Sequence, residues 1–296
     1  MVDGSRLGII GFGEVGYELS NGLSEEGVTS IAAWKRSGWN EESRARADEA
    51  RVTPCEGIAE MARQADVVWS AVTASASADV AELAAPFLRD KLYLDLTSTS
   101  PMAKQKGAAV VVAAGGRFVD GAIMGALHVY HHKVPILLSG PAAEEVAAVM
   151  RGWDMDVQVA GELVGQASAI KMLRSVYMKG IEALVLETMI AANRYGVLDV
   201  VLRSLEETHS KYNFMSFASM LVVSNALHGE RRAQEMEQVV MTLKEMDIEP
   251  MVCEGALRRL QWSTEMQLRE RLGGIQSPSY RDVLEAIEGR GPKPVG

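Results

Sequence analysis

Short apolar runs alternate with amphipathic stretches over the first 160 or so positions of the chain. Runs at Leu7–Ile10, Ile31–Trp34, Val67–Ala71, Tyr93–Leu96, Arg117–Ala122 and Val134–Ser139 predict strands. Between them Glu14–Glu26, Ile58–Arg63, Ala78–Leu88 and Pro101–Ala114 have helical spacing or composition. Asp154–Val159 reads as a last strand, and Gly140-Pro141 as the turn that starts a helix over Ala142–Gly152. Strands that are apolar almost throughout, each followed by a helix, predict an α/β domain with a doubly wound parallel sheet.

After Gly161 the character changes and no convincing strand follows from Gly165 to Ile287. Helical segments follow at Gln166–Arg194, Val197–Glu207, Phe214–His228, Glu230–Met246, Pro250–Glu270 and Tyr280–Glu288. The first is long and apolar on most sides, which places it at the centre of an all-α part. Two domains are therefore expected, residues 1–162 and 163–296. Gly273-Gly274 and the tail from Gly289 to Pro294 read as loop and frayed terminus.

Composition narrows the function classes. With 296 residues, 48% hydrophobic and 23% charged, the chain has the make-up of a globular protein with sizeable cores. A net charge of -9 leaves no basic excess for nucleic acid. Cys55 and Cys253 form neither a disulfide framework nor a zinc motif, so a reducing cytoplasm is the expected setting. No apolar stretch has the length of a membrane span, and no signal peptide is expected before the first strand.

The first strand runs directly into Gly11-Phe12-Gly13-Glu14-Val15-Gly16, and a helix follows. In that context Gly-x-Gly-x-x-Gly is a dinucleotide fingerprint: Gly11 for the tight turn, Gly13 for close approach of a pyrophosphate, Gly16 for helix–strand packing. Residues 1–162 are accordingly expected to be a Rossmann domain. The second strand ends in Lys35-Arg36-Ser37, where an NAD site usually carries an acidic residue on the ribose. Two cations and a hydroxyl suit a 2′-phosphate, so NADP is expected over NAD.

Lys171 stands alone among apolar flanks near the start of the long helix, with Ser175 and Met178 or Lys179 on the same face. Spacing alone leaves a snorkelling lysine and a catalytic one open. His128-Val129-Tyr130-His131-His132 has no adjacent Cys, Asp or Glu, so no metal site is expected. It reads as a solvated loop, or as a contact on the substrate or cofactor side. The sequence carries no P-loop and no serine-hydrolase elbow.

Four motifs in order, Gly11 to Gly16, Asp95-Leu96-Thr97-Ser98-Thr99-Ser100-Pro101, Asp120-Gly121-Ala122-Ile123-Met124-Gly125 and Gly165-x5-Lys171, resemble the β-hydroxyacid dehydrogenase superfamily. That superfamily includes 3-hydroxyisobutyrate and 6-phosphogluconate dehydrogenases. The resemblance implies hydride transfer between nicotinamide and a hydroxyl or carbonyl carbon of a hydroxy-acid-like substrate, with Lys171 as general acid/base. It places Thr97 and Ser98 near nicotinamide and substrate, Val72 and Thr73 over the ribose and pyrophosphate, and Met124, Gly125 and Ser175 at the substrate. Met124 stands where the family commonly has Ser, and Ser175 where it has Asn, which points to a larger or less acidic substrate. The segment His228 to Glu237 is similar to a branch named after phosphogluconate dehydrogenase. A true phosphogluconate dehydrogenase has a much longer helical domain, so that name does not identify the substrate. By the same resemblance the chain forms a homodimer through the helical domain, with Arg232 an anion contact at the partner's site. Imine reductases share the architecture but usually lack the lysine. An imine reductase and a non-catalytic NADP-binding protein are the alternatives.

Overall fold

The computed structural model describes residues 5–289 and places eight strands in one sheet. In chain order these are β1 (Leu7–Ile10), β2 (Ile31–Trp34), β3 (Val52–Pro54), β4 (Val67–Ser70), β5 (Leu92–Asp95), β6 (Arg117–Ile123), β7 (Ile136–Ser139) and β8 (Val157–Gly161). Their spatial order is β3-β2-β1-β4-β5-β6-β7-β8. Leu7 pairs with Ile31 on one side and Val67 on the other, so strand order reverses between β1 and β4. In an open α/β sheet that reversal opens a crevice at the carboxyl ends of the two strands.

The helices α1 (Glu14–Glu25), α2 (Glu41–Glu49), α3 (Ile58–Arg63), α4 (Ser77–Ala84), α5 (Pro101–Ala113), α6 (Leu127–Tyr130) and α7 (Ala143–Gly152) connect the strands. Two apolar layers hold them on the sheet: one includes Leu7, Ile9, Leu19, Leu23 and Trp69, the other Ile10, Met61, Val68, Val80 and Tyr93. The N-terminal unit therefore has the Rossmann architecture that its strand–helix alternation predicts.

Three features depart from the pattern. The helix α2 and the strand β3 lie where no element was expected. α2 buries only Ser43 and Ala47 and is set by an Asn40–Ser43 capping box, so it carries no apolar stripe to read. β3 is three residues long and contains Pro54, which only a sheet edge tolerates. The sheet is also not wholly parallel, because β7 runs antiparallel to β6 with Asp120 opposite Ser139. The one-turn α6 between them is too short to carry the chain back across the sheet.

The chain divides into two compact units between Val176 and Tyr177, inside helix α8 (Gln166–Tyr195). The second unit adds α9 (Leu198–His209), α10 (Phe214–Glu245), α11 (Met251–Glu265), α12 (Leu268–Arg271) and α13 (Tyr280–Ile287), and no strand among the described residues. Its core gathers Ala226 of α10, Leu268 and Leu272 at α12, and Val283 and Ala286 of α13. α10 comprises two helical stretches that meet at a kink at His228, where φ is -129° and ψ 22°, the position at which two helices were expected to part.

The expected long helix is α8, and much of its apolar surface is exposed. Leu186 is 61% exposed and Tyr195 70%, and Leu184 and Ile190 are exposed as well. Among the described residues this apolar surface is left largely uncovered, and α10 is the helix against which α11, α12 and α13 pack. Glu187 is the exception: its buried carboxylate accepts from the Val252 and Cys253 amides and caps the start of α11. Among the described residues no helix is long and apolar enough to cross a membrane. The tail from Arg290 lies outside the described residues.

Candidate active site

The turn after β1 performs three separate tasks with its three glycines. Gly11 has φ +94°, and a β-carbon there would fall 2.4 Å from the Ala71 carbonyl oxygen. A β-carbon on Gly13 would meet no atom within 4 Å, so the space beside it is open. A β-carbon on Gly16 would lie 2.3 Å from the Gly11 oxygen, so only glycine allows α1 to start this close to the strand. Gly13 is also the N-cap of α1 and provides no side-chain cap, which leaves the first amides and the positive end of the helix dipole directed outward.

These residues border a cleft of about 550 Å³ at the reversal of strand order. Gly11, Phe12, Gly13, Glu14, Val15, Lys35, Arg36, Ser37, Val72 and Thr73 all line it. Of the expected cofactor positions, Gly16 and Ser98 do not; Gly16 packs behind the turn and Ser98 is exposed after β5. Open space at Gly13 and an uncapped helix start fit the pyrophosphate of a dinucleotide, and Lys35 and Arg36 make the far wall of the cleft cationic. Arg36 is engaged, its Nη1 3.3 Å from Asp79 Oδ2 with both side chains more than half exposed, an ion pair of little strength. Lys35, which also lines the cleft, stands 5.9 Å above the Trp39 ring, within reach of a cation–π contact.

Lys171 lies in the second turn of α8, within the N-terminal unit. Burial, and after it the charge of Lys104, lowers its amine from the ordinary lysine value of 10.5. The first turn of the helix is fixed from below. Ser168 donates its amide to Asp120 Oδ2 at 2.9 Å and its hydroxyl to Asp120 Oδ1 at 2.6 Å, while the Ala167 amide donates to Ser139 Oγ at 2.9 Å. Ser175 donates its hydroxyl to the Lys171 carbonyl oxygen at 3.0 Å, so that group is already engaged inside the helix. Thr97 is buried, its amide donating to Asp95 Oδ1 at 2.8 Å and its hydroxyl without a protein partner. Met124 is half-buried at the end of β6, its amide donating to the Pro135 carbonyl, and Gly125 beside it is exposed.

Thr97, Met124, Gly125, Lys171 and Ser175 are not among the residues that line the cleft. Arg232 belongs to the helical unit, half-buried on α10 one turn past the His228 kink.

The histidine segment is exposed over residues 128–131, but its last two histidines reach α1. His131 Nδ1 lies 2.6 Å from Glu18 Oε2 on α1, and His132 is buried against the same helix, where a β-carbon on Gly22 would strike its ring. The segment thus braces the helix whose start faces the cleft. Among the described residues no three His, Cys, Asp or Glu side chains are placed to hold a metal.

Sequence reasoning quoted Asp95 and Asp120 as motif members but assigned them no task, and it missed Lys104. The signal was there: Lys104, Gly107, Ala108 and Val111 recur at three-and-four spacing and share the buried face of α5.

Residues 6–151 match the family described as the NAD-binding domain of 6-phosphogluconate dehydrogenase, and residues 192–263 a domain of unknown function, DUF1932. An uncharacterised 28.5 kDa protein of Methanothermus fervidus is 30% identical over 247 residues, 83% of this chain and 94% of that protein. A solved conserved protein of unknown function, MTH1747, is described as structurally similar to 3-hydroxyacid dehydrogenases. It is 33% identical, with TM-score 0.62 over 89% of this chain and 98% of that one. The imine reductase of Myxococcus stipitatus in complex with NADP+ shares the fold at 20% identity, with TM-score 0.67 over 88% of this chain and 94% of that one.

Proposed function

The chain belongs to the family that carries the NAD-binding domain of 6-phosphogluconate dehydrogenase, and from that premise we propose an NADP-preferring oxidoreductase in which Lys171 moves the proton. The observation that carries the reading is a lone, partly buried lysine whose amine burial has lowered, on the helix that follows the dinucleotide domain. A lysine shifted in that direction spends more time neutral near pH 7 and exchanges protons more readily there.

The cofactor, when bound, supplies or accepts hydride. The amides at Gly13 to Gly16 and the start of α1 hold its pyrophosphate, and Lys35, Arg36 and Ser37 its 2′-phosphate, with Arg36 exchanging Asp79 for the phosphate. Val72 and Thr73 cover the ribose side. In oxidation the neutral Lys171 amine accepts the proton of a substrate hydroxyl; in reduction its ammonium returns a proton to the carbonyl oxygen. The unpartnered Thr97 hydroxyl is available to hydrogen-bond the substrate. Met124 offers a thioether where the related dehydrogenases commonly have a serine hydroxyl, and Ser175 has its hydroxyl engaged in the helix, so the substrate is a hydroxy-acid-like compound, larger or less acidic than the simplest ones.

The exposed apolar surface of α8 supports a homodimer in which a second copy covers it. In that reading Arg232 contacts an anionic substrate group of the partner's site. Two free cysteines and the cofactor chemistry suit a cytoplasmic enzyme.

The second reading, reduction of a C=N bond, draws on the fold shared with imine reductases. A panel of hydroxy acids, ketones and imines, followed by NADPH absorbance, separates the two. Lys171-dependent turnover of hydroxyl or carbonyl compounds supports the first; turnover confined to imines supports the second. Tight NADPH binding with no turnover anywhere points to a non-catalytic protein.

A further inference from the structure

The chemistry assigned above leaves the buried ammonium of Lys104 unused. This residue of α5 is fully buried. Its Nζ lies 3.2 Å from Asp95 Oδ1 and 3.4 Å from Asp120 Oδ1, and donates to the carbonyl oxygens of Asp95 at 2.5 Å and Gly121 at 3.5 Å. A buried charge cluster is rarely the most stable filling for such a space, since an apolar side chain of similar volume is often as good or better. Packing alone therefore does not account for a lysine on the apolar stripe of α5.

The two carboxylates extend the cluster into four segments. Asp95 Oδ2 accepts from Ser77 Oγ at 3.0 Å, at the start of α4, and Asp95 Oδ1 accepts from the Thr97 amide. Asp120 accepts from Ser139 Oγ at 3.2 Å and holds both the amide and the hydroxyl of Ser168. Ser168 precedes Lys171 by one helical turn. The charged groups facing Lys104 are Asp95 from β5 and Asp120 from β6. The one whose charge reaches Lys171 is Lys104 from α5, while Arg174 on Lys171's own helix is exposed.

Resting on the reading of Lys171 as the proton carrier, we propose that Lys104 is its positioning residue, fixing through Asp95 and Asp120 both the Thr97 backbone and the first turn of α8 and presenting a like charge to the Lys171 amine. A like charge disfavours protonation, the same direction in which burial acts on Lys171. Replacing Lys104 by a neutral residue removes that charge and leaves the aspartates, so Lys171 holds its proton more tightly. Neutralising Asp120 leaves Lys104 less compensated, and Lys171 releases its proton more easily.

The test is competitive acetylation of the full-length protein with trace acetic anhydride, read at Lys171 by peptide mass spectrometry, with folding followed by circular dichroism. At neutral pH the Lys104→Gln protein acetylates Lys171 about threefold or more slowly than wild type, since the rate follows the neutral fraction of the amine. Lys104→Arg keeps the wild-type rate, and Asp120→Asn raises it. A folded Lys104→Gln protein with an unchanged rate overturns the proposal. So does an Asp120→Asn protein whose rate is unchanged or falls, and that variant decides the matter if Lys104→Gln does not fold. Acetylation needs neither substrate nor turnover, so this proposal and the catalytic reading fail by different measurements.

Discussion

Gly16 and Gly11 approach so closely that a β-carbon on Gly16 would lie 2.3 Å from the Gly11 carbonyl oxygen, and both partners are backbone. Neither side can yield by changing a rotamer. Gly16→Ala should therefore destabilise the protein by about 1–3 kcal/mol, measured by urea unfolding. Gly13, three residues earlier, has open space in front of it. Gly13→Ala should leave stability within about 0.5 kcal/mol of wild type while weakening NADPH binding about tenfold. Equal effects of the two changes on unfolding would contradict the division of tasks.

Arg36 and Asp79 make a second, independent prediction. Arg36→Asp should reverse the preference between NADPH and NADH, because a carboxylate repels the 2′-phosphate and accepts from the ribose hydroxyl. Asp79→Ala frees the guanidinium and removes a like charge from the phosphate, so NADPH affinity should rise while NADH affinity stays as it was. Fluorescence titration with both cofactors reads the outcome. An unchanged preference in Arg36→Asp would remove the case for NADP.

His132 predicts a pH dependence of stability. Burial lowers its imidazole from the ordinary value of 6.5, with the charge of Glu26 acting the other way. Above 6.5 the folded and unfolded chains both carry it neutral. As pH falls below 6.5 the unfolded chain takes up a proton that the folded chain resists, so this residue costs stability progressively down to its folded value. His132→Leu should flatten the pH dependence of urea midpoints between pH 6.5 and the acid side. Identical curves for the two proteins would show that His132 does not titrate differently on folding.

The lowered Lys171 amine has a kinetic counterpart. In the oxidation direction, activity should rise through an apparent value below the ordinary 10.5 of lysine, because the neutral amine is the base. In the reduction direction activity should fall through the same region, because the ammonium is the acid. A pH profile of kcat/KM that stays flat from pH 6 to 10 in both directions would be at odds with proton transfer by Lys171.

What could be read from the chain beforehand follows from how local each determinant is. The glycine turn was legible because its three constraints act within a few residues of one another, and Lys35 and Arg36 because they follow a strand of unmistakable apolar character. The helix α2 was not, since its sequence is polar on every side and Asn40, a single capping residue, sets its start. The exposure of α8 is not legible for a different reason. An apolar surface demands cover, and the sequence does not say whether the same chain provides it.

Lys104 and Lys106 show the limit most clearly. Two residues apart in one helix, they differ only in which face they occupy, Lys104 buried against two aspartates and Lys106 exposed. Helical spacing with Gly107, Ala108 and Val111 marks Lys104 as the inward one. That Asp95 and Asp120 await it is a product of strand register, since β5 and β6 pair these two residues side by side.

The central claim is that Lys171 moves the proton in a nicotinamide-dependent reaction. Single-turnover oxidation of NADPH by wild type and Lys171→Ala, on the best substrate of the panel, tests it most directly. The account predicts a rate lower by about 10²–10⁴-fold in the variant, with NADPH affinity unchanged. A variant within about threefold of wild type would contradict it, since general acid–base catalysis accounts for far more than that.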